Sequence, residues 1–556
     1  MKQEKAFILK GDLCWSTSVS ELATMDDGYL VVEDGIIAGV FKQIPECYQA
    51  LPLIDTNNAL IMPGMIDLHV HGSQYQYRGL GMDMELLDWL NTYAFPEEKK
   101  FSDTEYARHA YGMFVDDMKQ SATTRAVIFA SIHYPAAKVL MDLIEESGLI
   151  AYVGKVNMDR NSPDYYIEET ADSLADTETW IRETIHQYKH VFPILTPRFT
   201  PTCSDELMEG LGALQKKYDL PVQSHLSENP SECDWVKELC PWSSCYGETY
   251  LRPGLIGPGI KSVMAHCVYS DEKEMELLGE NEVLIVHCPQ SNENVASGIA
   301  PIRKFLDRGL MVGMGSDVAG GATLSMLRSI QDALAVSKLR WRIIDQEDKP
   351  LTIDEAFYLA TEGGGRFFGK VGSFKKGYEM DALVIPDRHL LGPRDYTVRE
   401  RLERVIYSPG LQVQQRQLQP VPLRPGDGRR HRRQDPLRQR RWRSDPLPEQ
   451  LLLRLVLSGQ GERYIRHVLH LHSSQRPKGN AVILLFRFPG VQRDPVPLSR
   501  PGADLIHIQV VTPQCQRLPR FVLVADEKEQ PLLVLVPQAV QNRRPVILIV
   551  HDRHFL

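Results

Sequence analysis

Hydrophobic and polar positions along the 556-residue chain fall into successive rhythms. Residues 1–60 read as short strands, with Tyr29-Leu30-Val31-Val32, an acidic turn at Glu33-Asp34-Gly35 and then Ile36-Ile37-Ala38-Gly39-Val40, a hairpin pattern. From Ile61 short apolar runs alternate with long amphipathic stretches, as repeated βα units joined into a parallel sheet do. Strands are predicted at 64–70, 124–132, 149–157, 192–197, 220–225, 262–266, 283–287 and 311–316. Helix-spaced apolar residues fill Glu85 to Tyr93, Asp103 to Gln120 and Pro135 to Ser147 between them. Eight such units predict an α/β fold, a (β/α)8 TIM barrel over residues 61–368. Gly372-Ser373-Phe374-Lys375-Lys376-Gly377 and Asp381-Ala382-Leu383-Val384-Ile385 then return to short strands. Residues 369–407 are therefore expected to join 1–60 in a small β-sandwich, with Val405-Ile406-Tyr407 as a closing strand.

Composition narrows the class. Hydrophobic residues make up 43% and charged residues 24%, the balance of a soluble globular protein. Runs of about 18 apolar residues are missing, which argues against a membrane partner, and Met1-Lys2-Gln3-Glu4-Lys5 leads into no signal core. The nine cysteines contain no CxxC pair and read as reduced thiols in a cytoplasmic protein.

Charge divides the chain. The net value of −9 combines an acidic segment up to residue 410 with a basic one beyond it, where two lysines accompany 22 arginines and Gln, Pro and Leu crowd together. Residues 408–556 are expected to be an Arg/Gln/Pro-rich tail without a core of its own, translated out of frame or fused, with a genuine basic domain as the alternative. The run from Arg429 to Arg441 also raises a reading from a different class, nucleic-acid binding. Neither interleaved aromatics nor a folded reader motif accompanies that charge, which argues against a nucleic-acid partner.

Candidate chemistry collects where the predicted strands end. In His69-Val70-His71 the two imidazoles share one strand face and can grip one ion. His225, His266 and Asp317 end later strands, and catalytic groups of this fold gather at the carboxyl ends of its strands. Singly, His266 could be a hydrogen-bonded structural histidine and Asp317 a helix cap. Together, histidines and an aspartate suit zinc or ferrous iron with a position left for water. Glu228 stands three residues after His225, placed to act as a general acid/base without ligating.

The chain resembles the amidohydrolase superfamily, and within it the guanine deaminases. The likeness rests on Pro63-Gly64-Met65-Ile66-Asp67-Leu68-His69-Val70-His71, Gln74-Tyr75, Leu87-Asp88-Trp89-Leu90, Thr196-Pro197-Arg198-Phe199, Gln223-Ser224-His225-Leu226-Ser227-Glu228-Asn229, Met264-Ala265-His266, His287-Cys288-Pro289-Gln290-Ser291-Asn292 and Gly315-Ser316-Asp317-Val318-Ala319-Gly320-Gly321. It covers about residues 1–407. The resemblance implies metal ligation by His69, His71, His225 and Asp317, with His266 beside the bound water and Glu228 as proton shuttle. It further implies purine binding by Gln74, Arg198 and Phe199, hydrolysis of guanine to xanthine and ammonia by a metal-activated hydroxide, and a homodimer. One ion (zinc, or ferrous iron) is expected, because the fourth strand ends Leu195-Thr196-Pro197-Arg198 without the lysine that binuclear relatives carboxylate. His287 is left as structural, and His133 receives no role. The rival within enzymes is another mononuclear amidohydrolase, a deaminase or chlorohydrolase of pterins, adenine derivatives or triazines.

Overall fold

Alternation near the N-terminus is realised as two long antiparallel strands, β1 (Ala6–Ser18) and β2 (Glu21–Glu33), with β3 (Ile36–Phe41) returning on β2. Asp34 and Gly35, at φ of 49° and 81°, supply the left-handed pair that a two-residue hairpin turn needs. β4 (Leu53–Pro63) runs parallel to β1. The computed structural model describes residues 6–386 and 392–408, and the backbone of four short strands farther along.

All eight strands expected from the apolar runs are present. β5 (Met65–His71), β6 (Thr123–Phe129) and β7 (Ile150–Gly154) are followed by β8 (Val156–Asn157), β9 (Val191–Pro193) and β10 (Thr196–Pro197). The third and fourth expected strands are thus each broken in two. β11 (Val222–Leu226), β12 (Ser262–His266), β13 (Leu284–His287) and β14 (Val312–Met314) complete the series. They form two four-stranded parallel sheets, β5-β6-β7-β9 and β11-β12-β13-β14, with β8 paired to β10. Leu195 bridges in parallel to Val222 between the sheets.

Both faces of these strands are covered, as parallel sheets require. Ile66, Leu68, Val127, Ile194, Val263, Ala265, Leu284 and Val286 belong to one buried cluster, while Ala126, Ile128, Met264 and Ile285 on the same strands pack in another with the helices. That alternation is the two-residue period of a strand. The helix Thr104–Met118 starts on Asp103, whose side chain accepts from the Glu105 and Tyr106 amides, and buries Ala107, Ala110, Tyr111, Phe114, Val115 and Met118 along one face. Tyr134–Ser147 stops at Gly148, whose φ of 81° suits glycine at a helix C-terminus.

β15 (Ala382–Ile385) pairs antiparallel with β4 and completes a five-stranded sheet in the order β15-β4-β1-β2-β3. Among the described residues this is one sheet, where a sandwich was expected. Leu9, Leu13, Leu30, Val32 and Ile61 of the sheet pack with Phe374 and Met380, and the helix Val398–Ile406 packs against β1, β2 and β4. That helix corrects the expected closing strand at Val405-Ile406-Tyr407. Val398, Leu402, Val405 and Ile406 are buried at helical spacing, and Thr397 and Glu400 form a capping box at its start.

Two antiparallel pairs lie in a second unit spanning 426–556: β16 (Leu452–Ser458) with β17 (Tyr464–His470), and β18 (Leu505–Ile506) with β19 (Leu523–Val524). The rest of the expectation for 408–556, the run from Arg429 to Arg441 included, falls outside the described residues. No helix among the described residues is long and apolar enough to cross a membrane.

Candidate active site

Strand ends converge on one buried cluster. His69 and His71 end β5, His225 lies in β11, His266 ends β12, and Asp317 follows β14. The imidazoles of His69 and His71 stand edge to face at 4.9 Å between centroids, and His71 Nε2 is 3.2 Å from His225 Nε2. Asp317 Oδ1 is 3.2 Å from His69 Nε2 and 3.4 Å from His71 Nε2, and its Oδ2 is 3.5 Å from His266 Nε2. The backbone is shaped to this purpose: His266 and Asp317 sit at φ of 75° and 46°, a strained region for non-glycine residues. The Asp317 amide donates to the His69 carbonyl at 2.8 Å. Gly315 allows the close approach, since a Cβ there would stand 2.9 Å from His69 Cβ.

These donors fit a divalent cation. His69 Nε2 and His266 Nε2 are buried and make no hydrogen bond, although each faces the Asp317 carboxylate. Two imidazoles are turned by partners behind them: His225 Nδ1 bonds the Arg198 carbonyl at 2.6 Å, and His266 Nδ1 bonds Asn292 Oδ1 at 2.9 Å. Such bonds fix the tautomer and leave Nε2 as the free donor atom. Burial, then the neighbouring His69 imidazole, holds His71 and His225 well below the ordinary histidine range, in the neutral form that ligates metal. Burial works the other way on Asp317, but the surrounding imidazoles of His69, His266 and His71 outweigh it and keep this carboxyl ionised. Groups drawn from His69, His71, His225, His266 and Asp317 bring their ligand atoms within 4.8 Å of one another.

Glu228 enters from the loop after β11. The loop turns sharply at Ser227, with φ of 48°, and the Glu228 and Asn229 amides donate to Glu232 Oε2 at 2.9 and 3.1 Å as the next helix, Pro230–Leu239, begins. Its carboxyl lies 3.5 Å from His266 Nε2 and accepts from Ser297 Oγ at 3.1 Å. Burial, together with the Asp317 carboxylate, pushes it up to about 8. A carboxyl so placed can give a proton as well as take one.

Gln74 sits in the short turn Gly72–Tyr77 after β5, and Arg198 and Phe199 follow β10. These three line one cavity together with His71, His225, Glu228, Asp317 and the apolar Leu86, Trp89 and Leu90. All nine residues singled out from the sequence thus meet in and around one site. His287 does not line this cavity: neither of its ring nitrogens has a hydrogen-bond partner, and burial takes its pKa down to about 3. His133 precedes the helix Tyr134–Ser147, with its ring 6.0 Å from Tyr166.

Sequence reasoning missed Glu98 and Tyr166. Glu98 is buried against Arg198, Gln74 and Tyr166. Phe95, Glu98 and Phe101, all buried, are spaced by three, and that spacing is the one signal that separates Glu98 from the adjacent, more exposed Glu97.

The chain is similar to several known proteins. Residues 60–405 match the model of the Amidohydrolase family. A guanine deaminase of Dictyostelium discoideum is 38% identical over 363 residues, covering 64% of this chain and 80% of the relative. A crystal structure of guanine deaminase from C. acetobutylicum with bound guanine in the active site is 49% identical at a TM-score of 0.70, covering 72% of this chain and 96% of that one. An adenosine deaminase from Xanthomonas campestris with bound zinc, at 21% identity and a TM-score of 0.62 over 71% of this chain and 88% of that one, shares the fold.

Proposed function

The chain belongs to the amidohydrolase family, and from that premise we propose that it hydrolyses guanine to xanthine and ammonia. The observation that carries this reading is the composition of one cavity: the buried Glu228 and the His71, His225 and Asp317 side chains share it with Gln74, Arg198 and Phe199. His69, His71, His225 and Asp317 are the residues to hold one zinc or ferrous ion, with His266 beside it; the unpartnered Nε2 atoms support this assignment. A cation held there would lower the pKa of a bound water from about 15.7 to about 7 in the best zinc cases.

Guanine presents to this cavity an amidine, with C2 bearing the amine that leaves and N3 adjacent. Glu228 takes a proton from the attacking water and delivers it to N3 as oxygen adds to C2. The remaining hydroxyl proton then passes by way of Glu228 to the exocyclic amine, which departs as ammonia and leaves the C2 carbonyl of xanthine. Asp317, ionised, accepts from that hydroxyl until its proton leaves, and His266 stands beside it. Phe199 offers an aromatic face to the ring and Arg198 offers N–H donors to its acceptor edge.

The same reading closes the two parallel sheets into one (β/α)8 barrel. Its support is the Leu195–Val222 bridge at one seam and, at the other, the bonds from Asp317 N to His69 O and from His71 N to Val318 O, at 2.8 and 2.9 Å. A homodimer and a cytoplasmic setting belong to the reading by family resemblance. The test is ammonia release from a panel of guanine, adenine, cytosine, pterins and triazines with zinc or iron supplied. Guanine is expected to turn over fastest. Faster turnover of another member overturns the substrate, and no release from any member overturns the reaction class.

A further inference from the structure

Glu98 does not line the cavity, yet it holds two residues that do. Its carboxylate is 1% exposed and accepts four hydrogen bonds. Oε1 accepts from Gln74 Nε2 at 2.8 Å and Arg198 Nη2 at 3.2 Å, and Oε2 accepts from Arg198 Nη1 at 2.7 Å and Tyr166 Oη at 2.9 Å. A carboxylate has about four lone-pair sites, so no acceptor capacity remains for a ligand. The Arg198 guanidinium is also stacked, its central carbon 5.0 Å from the Phe95 ring centroid. Glu98 is therefore a clamp.

Its consequence lies in the donors left over. Arg198 spends one N–H from each terminal nitrogen on Glu98, and the side edge of the fork keeps its Nε–H and a parallel N–H. The Gln74 amide turns its NH2 toward Glu98, and its Oε1 takes the Ala319 amide at 3.3 Å. Guanine with C2 toward Glu228 carries O6 and N7, both acceptors, on the far side of the ring, whereas an amine at C6 puts a donor there. On the functional reading above, we propose that Glu98 is a positioning residue for selectivity. By locking the side edge of Arg198 as a two-donor edge, it selects 6-oxo over 6-amino purines.

The test compares guanine with 2,6-diaminopurine, which carries the same C2 amine but a donor at C6. In the metal-loaded full chain, Glu98→Gln places an NH2 among groups that themselves donate. KM for guanine is expected to rise at least about tenfold with a smaller change in kcat, and the guanine to diaminopurine ratio of kcat/KM to fall by about the same factor. In an Arg198→Met background, adding Glu98→Gln should leave the guanine to diaminopurine ratio unchanged. A ratio equal to that of the wild type, with only a lower melting temperature, overturns the proposal; so does an equal loss in the Arg198→Met background. Should Glu98→Gln not fold, Tyr166→Phe removes one of the four bonds and keeps the charge pair. The ratio should then drop about two- to fivefold, and an unchanged ratio overturns the proposal. A wild-type protein inert toward guanine overturns the functional reading and this proposal with it. A guanine-active wild type whose variants keep the ratio overturns this proposal alone.

Discussion

Environment assigns opposite work to chemically similar side chains in this site. Asp317 and Glu228 are both buried carboxyls, yet imidazoles surround the first and keep it ionised, while burial and that same Asp317 charge lift the second to about 8. On the proposed function, the first serves as an anionic ligand and the second as a proton carrier. Glu228→Gln keeps the shape of the side chain and removes its proton. Ammonia release should fall by about 10²–10⁴ while metal content and purine affinity are retained; activity within about tenfold of the wild type would remove Glu228 from that role. His69, His71, His225, His266, Asp317 and Glu228 could be named in advance because each ends a strand or stands within a few residues of a strand's end. Glu98 could not, since its partner Arg198 lies 100 residues away.

At the scale of elements, apolar spacing and caps together decide what forms. Thr104–Met118 was readable because its buried positions recur at helical spacing behind an Asp103 cap. Val405-Ile406-Tyr407 looks like a strand when taken alone, but the capping box Thr397–Glu400 begins a helix that reaches it. Thr397→Ala should cost about 0.5–2 kcal/mol in urea unfolding. Glu400 also carries a pH signature: bonds from Arg394 and the Thr397 amide hold its carboxyl down to about 2, against an ordinary 4.5. A carboxyl depressed on folding stabilises fully above its unfolded value, and this contribution is lost as pH falls toward 2. The melting temperature of the wild type should therefore drop more steeply between about pH 5 and 2 than that of Glu400→Gln; parallel profiles would show that this bond contributes nothing. Exposure makes the effect small and sensitive to salt.

Across the whole molecule, a buried arginine ties the five-stranded sheet to the parallel strands. Arg125 of β6 donates to Asp381 at 3.0 Å and to Glu379 at 2.8 Å, and Thr124 donates to Asp381 at 2.8 Å, just ahead of β15. Asp381 is buried, so removing the cation strands a carboxylate. Arg125→Met should destabilise by about 3–5 kcal/mol in equilibrium unfolding, and a loss below about 1 kcal/mol would show that the pair is dispensable.

The sequence alone determined what depends on near neighbours along the chain. Strand alternation, helical spacing and the pairing of His69 with His71 follow from side-chain directions set by the local backbone, so eight strands and the imidazole–carboxylate cluster at their ends could be read directly. Tertiary structure decided what depends on partners brought together from far apart. It placed Val405 on a helix against β1, gave Ala382–Ile385 a place beside β4, and matched Glu98 with Arg198, Gln74 and Tyr166. It also pushed the buried carboxyls of Asp317 and Glu228 in opposite directions, because the energy of an ion inside a protein depends on what the fold sets against it.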